Sequence, residues 1–294
     1  MRSRLIVALG EILWDLLPSG ARLGGAPGNF ACQAVRQGTR TAVVSATGSD
    51  SRGEDTLRIL QSHRVDTSLI ARLKDLPTGT VGVQLDAQGR ASYQIHPNAA
   101  WDKIPWSTSL EHALVVSDAV YFGILAQRSS TSRNTIRRAL QIARSLGIPR
   151  ILDVNLRKPF FDPDMIRESL ELATVLKLSE EELPEVAAAS GIAKGGSSLQ
   201  TLQGLLQRHQ LELAALTMGE EGALVVSREE AVRQPGIPVH VRDTIGAGDA
   251  FTAALVCGLL EENNLPTIAL RACKAAAATC AHSGAIPDPP RWAY

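Results

Sequence analysis

The sequence predicts an α/β fold built on a mostly parallel sheet, and three features carry that expectation. Strand-like apolar runs alternate with helical runs over most of the chain, the rhythm of a parallel sheet covered on both faces. Between residues 78 and 96 the rhythm breaks, with two strand-like runs and no helix between them. Near the C-terminal end, Asp243-Thr244-Ile245-Gly246-Ala247-Gly248-Asp249 makes a glycine-rich turn that opens a run apolar enough for a buried helix.

The elements follow in order. Leu5 to Leu9 is a five-residue apolar run, and Glu11 follows it too soon for a signal peptide, so it reads as a first buried strand. Residues 10–20 alternate like a second strand ending in a turn. Leu23-Gly24-Gly25-Ala26-Pro27-Gly28-Asn29 is an elbow of small residues, leading to a helix from 30 to about 37 that Gly38 closes. Residues 42–46 read as a buried strand and 53–63 as a helix. Residues 80–86 and 91–95 flank Ala87-Gln88-Gly89-Arg90 as a hairpin. With 11–23 they are expected to form a small sheet apart from the main one, a lid over the site. Leu114-Val115-Val116 and residues 119–122 lead into a strand ending at Gly123, and 131–146 is a helix stopped by Gly147. Residues 150–157 form a strand whose end turns polar, at Asp153, Asn155 and Arg157, where an open α/β sheet binds its ligands. Helices at 163–173 and 199–208 and strands at 175–178, 213–217 and 223–226 continue the pattern. Another helix starts over 179–183, with acids suited to its dipole. Val239 and Val241 alternate with polar residues as a short strand would, and a last helix runs from 266 to about 282. The whole chain, 1–294, reads as one domain.

Composition narrows the function. The 294 residues are 45% hydrophobic and 20% charged, an ordinary globular balance with enough chain to bury a large core. Thirty basic residues offset thirty acidic ones, so no global field favours nucleic acid or an anionic membrane. No run is long and apolar enough to span a bilayer. Cys32, Cys257, Cys273 and Cys280 include no Cys-x-x-Cys pair and read as free thiols in a reducing cytoplasm, not as a metal site.

The glycine turn carries the chemistry. At a helix N-terminus the amides of Gly246, Ala247 and Gly248 lack intrahelical partners, and with the dipole behind them they form an anion site. Asp249 fits there as a base that takes a proton from a nucleophile beside a phosphate, or as a cap on the same amides. Neither a P-loop nor a G-x-G-x-x-G dinucleotide turn is present, and the protein-kinase motifs are missing.

Four stretches in this order, Gly10-Glu11-Ile12-Leu13-Trp14-Asp15, Gly24-Gly25-Ala26-Pro27-Gly28-Asn29, Asp153-Val154-Asn155-Leu156-Arg157 and the turn at 243–249, resemble the PfkB (ribokinase-like) family of carbohydrate kinases, most of all its fructokinase branch. The likeness spans nearly the whole chain. It implies a three-layer α/β/α fold with a small β-sheet lid, and transfer of the ATP γ-phosphoryl group to a sugar hydroxyl. Asp249 would be the base and the amides of Gly246, Ala247 and Gly248 would hold the developing charge. Asp15, Gly25, Asn29 and Arg157 would bind the sugar, although Asp15 alternatively ends a strand and Arg157 alternatively pairs with Asp153. Thr217, Gly219 and Gly222 would lie along the nucleotide, and Ala275 and Ala278 against the adenine or simply in helix packing. Glu182 would organise magnesium through water; Ser179 departs from the asparagine many members carry there. Asp243 and the Ile245 carbonyl would contribute to a monovalent cation site, potassium in this family.

The reading is therefore an ATP- and magnesium-dependent kinase of a small neutral sugar, fructose first. The alternatives are a kinase of another polyol, nucleoside or sugar acid, and a non-catalytic sensor on the same fold. Trp14, Phe30 and Trp101 are candidates for apolar surface under a sugar ring, or for core. The outer face of the lid is expected to meet solvent or the lid of a second subunit.

Overall fold

A computed structural model describes residues 3–17, 20–85, 91–193 and 195–286, and these residues hold thirteen strands and nine α-helices. The N-terminal part comprises β1 (Leu5–Leu9), β2 (Leu13–Leu17), β3 (Gly20–Gly24), α1 (Ala26–Arg36), β4 (Arg40–Gly48), α2 (Ser51–Ser62), β5 (Ile70–Leu73), β6 (Gly79–Leu85) and β7 (Ala91–Ile95). The middle comprises α3 (Thr108–Val115), β8 (Ala119–Gly123), α4 (Ser130–Ser145), β9 (Arg150–Asp153), α5 (Pro163–Leu172), β10 (Val175–Ser179), α6 (Leu183–Ala189) and α7 (Ser198–His209). Strands β11 (Leu213–Thr217), β12 (Ala223–Ser227) and β13 (Ala231–Gln234) precede helices α8 (Ala247–Leu260) and α9 (Leu265–Cys280).

Nine strands form one sheet in the order β13-β12-β11-β10-β9-β8-β1-β4-β5. Its pairs are parallel except β11–β12 and β12–β13. Alternation along each strand sends side chains to opposite faces. In β1, Val7 and Leu9 join the core on one face and Ile6 and Ala8 the core on the other. Helices cover both, giving the three layers. Helix α8 is apolar on every side because it is enclosed on every side, with Ala250 to Gly258 all buried. Its position fixes the glycine turn at its N-terminus.

The remaining four strands form the small sheet, in the order β3-β2-β6-β7, with β2 and β6 parallel. Tyr93 pairs with Val83 and Ile95 with Val81 in this sheet, as the lid expectation requires. The expected hairpin turn at 87–90 lies outside the described residues.

Several boundaries differ from the sequence reading. Helix α1 begins at Ala26, not 30, because Pro27 is well suited to a first helical turn and Gly25 turns the chain with φ +101°. Leu114 and Val115 end helix α3 instead of leading into a strand. The polar segment 154–157 lies beyond β9, with Asn155 at φ +42°. Residues 179–182 precede α6, so their acids turn the chain before the helix starts. Val239 and Val241 lie in no strand and are exposed. Edge strands β5 and β13, each of four residues, went unread because runs so short carry little periodicity.

Candidate active site

At the carboxyl ends of the parallel strands, beneath the small sheet, lies a cavity of about 540 Å³. Its lining joins distant parts of the chain: Glu11 after β1, Asp15 of β2, Gly25 and Asn29 at the elbow, Arg157 after β9, and Gly246, Gly248 and Asp249 at the turn. Val81 and Ile95 of the small sheet close it from above, so one face of that sheet covers the site.

Asp249 is buried in the first turn of α8 yet does not cap it. Its Oδ2 instead accepts a hydrogen bond from Asn29 Nδ2 at 2.8 Å. Burial, reinforced by the charge of Asp153, pushes its carboxyl up to about 6. Packing and backbone conformation require glycine at 246, and a side chain at 248 would press on Lys177. A Cβ on Gly246, at φ +78°, would stand 2.6 Å from Ala285 Cα, and one on Gly248 would stand 2.9 Å from Lys177 Nζ. Gly246 and Gly248 face the cavity. The Ala247 amide, expected to face an anion, donates to the Thr244 carbonyl at 3.2 Å within the turn.

Sequence reasoning missed Lys177. It is the one charged residue in the apolar strand Val175-Leu176-Lys177-Leu178, which was the available signal. Its Nζ lies 3.1 Å from Asp153 Oδ1, and Asp153 Oδ2 accepts from Thr252 Oγ1 of α8 at 2.9 Å. Burial opposes the ammonium, but Asp153, Glu182 and Asp249 around it hold its proton affinity above the ordinary value. Strand, lysine and helix N-terminus are thereby joined under the turn. Glu11 was also passed over; it lines the cavity, and burial pushes its carboxyl up to about 7.

The expected sugar-side residues all line this cavity. Asp15 sits in the middle of β2, not at its end, and burial raises its carboxyl. Arg157 is exposed and donates to the Leu156 carbonyl at 3.0 Å; the partner of Asp153 is Lys177. Gly25 packs its Cα face against the chain at Glu11, where a Cβ would come 2.6 Å from the carbonyl oxygen. The three aromatics are core. Trp14 Nε1 donates to Thr56 Oγ1, Phe30 stacks on Tyr121 at 4.0 Å, and Trp101 lies under the Arg128 guanidinium.

The expected nucleotide residues do not line this cavity. Thr217 ends β11, and Gly219 and Gly222 turn the chain into β12 with φ +55° and +97°. Ala275 is half-buried and Ala278 exposed on α9. Glu182 accepts from the amides of Ser179 and Leu156 at 2.8 and 2.7 Å, so both its oxygens already hold the chain. Asp243 accepts from the amides of Ile245 and Gly284 at 3.0 and 2.8 Å, and Thr244 and Ile245 of that loop line the cavity. Among the described residues no cluster of three or more His, Cys, Asp or Glu could hold a metal ion. No helix among them is long and apolar enough to cross a membrane.

A buried carboxylate next to a glycine turn at a helix N-terminus, roofed by a separate sheet, defines a small-molecule phosphotransferase architecture. The comparisons give it a family. Residues 20–292 match the model of the pfkB family carbohydrate kinases, and the chain belongs to that family. It is 31% identical over 269 residues to a fructokinase of Salmonella typhimurium, covering 88% of this chain and 85% of that one. The crystal structure of an uncharacterized sugar kinase from Pyrococcus horikoshii in complex with ATP superposes with a TM-score of 0.81 at 29% identity, over 96% of this chain and 94% of that one. A Vibrio cholerae fructokinase double mutant, with fructose, ADP and potassium ion bound, superposes with a TM-score of 0.81 at 26% identity, over 98% and 95% of the two chains.

Proposed function

We propose that this sugar kinase transfers the ATP γ-phosphoryl group to a hydroxyl of a small neutral sugar, with fructose as the acceptor. The observation that carries the reading is Asp249, a buried carboxylate that caps nothing and is aimed by Asn29 into the cavity. The hydroxyl proton passes to Asp249, the hydroxyl oxygen bonds to the γ-phosphorus, and the bond to the ADP oxygen breaks. Gly246 and Gly248 let the phosphoryl group approach the turn closely, and the Lys177 ammonium beneath offsets its charge.

Magnesium, when bound, neutralises the nucleotide phosphates. Glu182, which accepts from the Ser179 and Leu156 amides, would organise magnesium through water. Thr217, Gly219, Gly222, Ala275 and Ala278 form the nucleotide side. The Ile245 carbonyl, with Asp243 holding its loop, serves a monovalent cation; the potassium in the Vibrio relative supports that role.

Charge favours a neutral acceptor. Asp15 and Glu11 add carboxyls to the wall, and of the two cations there Lys177 is already paired. A second phosphate would need two or more free cationic partners. The fructokinase relatives support fructose itself. ADP release with ATP, magnesium and a sugar panel tests the activity. A higher kcat/KM for fructose 6-phosphate or fructose 1-phosphate than for fructose would overturn the acceptor class.

A further inference from the structure

Glu11 divides its carboxylate between two tasks, and only one of them is internal. Helix α1 begins at Ala26, its N-cap Gly25 has no side chain to cap it, and no acid lies in its first turn. Glu11 supplies that acid from the neighbouring loop, accepting from the Ala26 amide at 3.3 Å through Oε1. Its other oxygen, Oε2, is buried and has no hydrogen-bond partner among the described residues. Asn29 is in the same condition, its Nδ2 committed to Asp249 and its Oδ1 buried without a donor. Both residues line the cavity, beside Asp15 and Gly25. Buried acceptors are nearly always paired, so two orphans on one wall point to donors that arrive with a ligand.

We propose that Glu11 is a specificity-determining residue of the acceptor site, holding, together with Asn29 Oδ1, a hydroxyl of the sugar other than the one that reacts. The proposal rests on the sugar-kinase reading above. A hydroxyl suits this position because it both donates and accepts. With its carboxyl pushed up to about 7 by burial, Glu11 exists in both protonation states near neutrality, and a hydroxyl pairs with either. A phosphate ester would set its own acceptor oxygens against the same lone pairs.

The test compares the wild type with Glu11→Ala and Glu11→Gln on the best-accepted sugar and on its analogues lacking one hydroxyl at a time. One analogue should lose roughly 10- to 100-fold in kcat/KM with the wild type, the worth of one hydrogen bond to an ionisable group. In Glu11→Ala the parent sugar should fall by a similar factor while that analogue stays within about threefold of its wild-type value, the signature of a shared contact. Glu11→Gln should retain part of the discrimination. If Glu11→Ala does not fold, the glutamine variant decides, because unchanged discrimination there overturns the proposal. An equal loss for parent and every analogue also overturns it, leaving Glu11 only its hold on Ala26. Wild-type protein that phosphorylates no sugar overturns the kinase reading and this one with it; active enzyme without hydroxyl-specific coupling overturns this one alone.

Discussion

Asn29 Nδ2 donates to Asp249 Oδ2 at 2.8 Å across 220 positions of sequence, tying the first turn of α8 to helix α1. The bond orients the carboxylate without using both of its oxygens. Conversion to the amide at 249 preserves an oxygen acceptor for Asn29 while removing the base. Asp249→Asn should therefore fold normally and lose roughly 10²- to 10⁴-fold in kcat. A variant that keeps a third of wild-type turnover, by ADP release, would return Asp249 to a structural role.

With Asp249 as the proposed base, the same carboxyl should set the acid limb of the pH profile. Its value near 6 means that protons compete with the sugar hydroxyl for Asp249 as pH falls. Activity needs the ionised form, so kcat/KM should level off above about pH 7 and drop toward tenfold per pH unit below about 5. An acid limb near pH 4 would place Asp249 in a more solvated setting than the one described.

Lys177→Met should move that limb upward, because the ammonium is among the charges that lower the affinity of Asp249 for its proton. It also leaves Asp153 buried without its cation, a loss of about 3–5 kcal/mol in stability. Pairing it with Asp153→Asn relieves the stranded charge and should restore part of the stability but not the turnover. Thermal unfolding and the pH profile of kcat, read together, separate the two effects. A double variant with wild-type kcat would show that Lys177 serves only the fold.

Gly25→Ala tests the elbow. Its φ of +101° disfavours any side chain, and the new Cβ would press on the Glu11 carbonyl. The strain should cost about 1–3 kcal/mol. Because the elbow carries Asn29 and abuts Glu11, KM for the sugar should rise more than KM for ATP. Equal changes in the two constants would mean that the elbow does not belong to the acceptor site.

The sequence determined much of this protein by itself. Alternating strand and helix patterns specified the parallel sheet, since period and burial follow directly from backbone geometry. The break at 78–96 marked the small sheet, because two strands without a crossover helix cannot extend a parallel one. Gly246, Gly248 and Asp249 announced a tight turn opening α8 at the cavity. Tertiary structure decided what neighbours do to each other. The Ala247 amide is used within its own turn, Arg157 lacks the carboxylate that Lys177 took, and Trp14, Phe30 and Trp101 went to the core. Lys177 and Glu11 look ordinary in sequence, a lysine in a strand and an acid after one. Their meaning comes from burial among particular partners, and burial is a property of the packed layers that no local window contains.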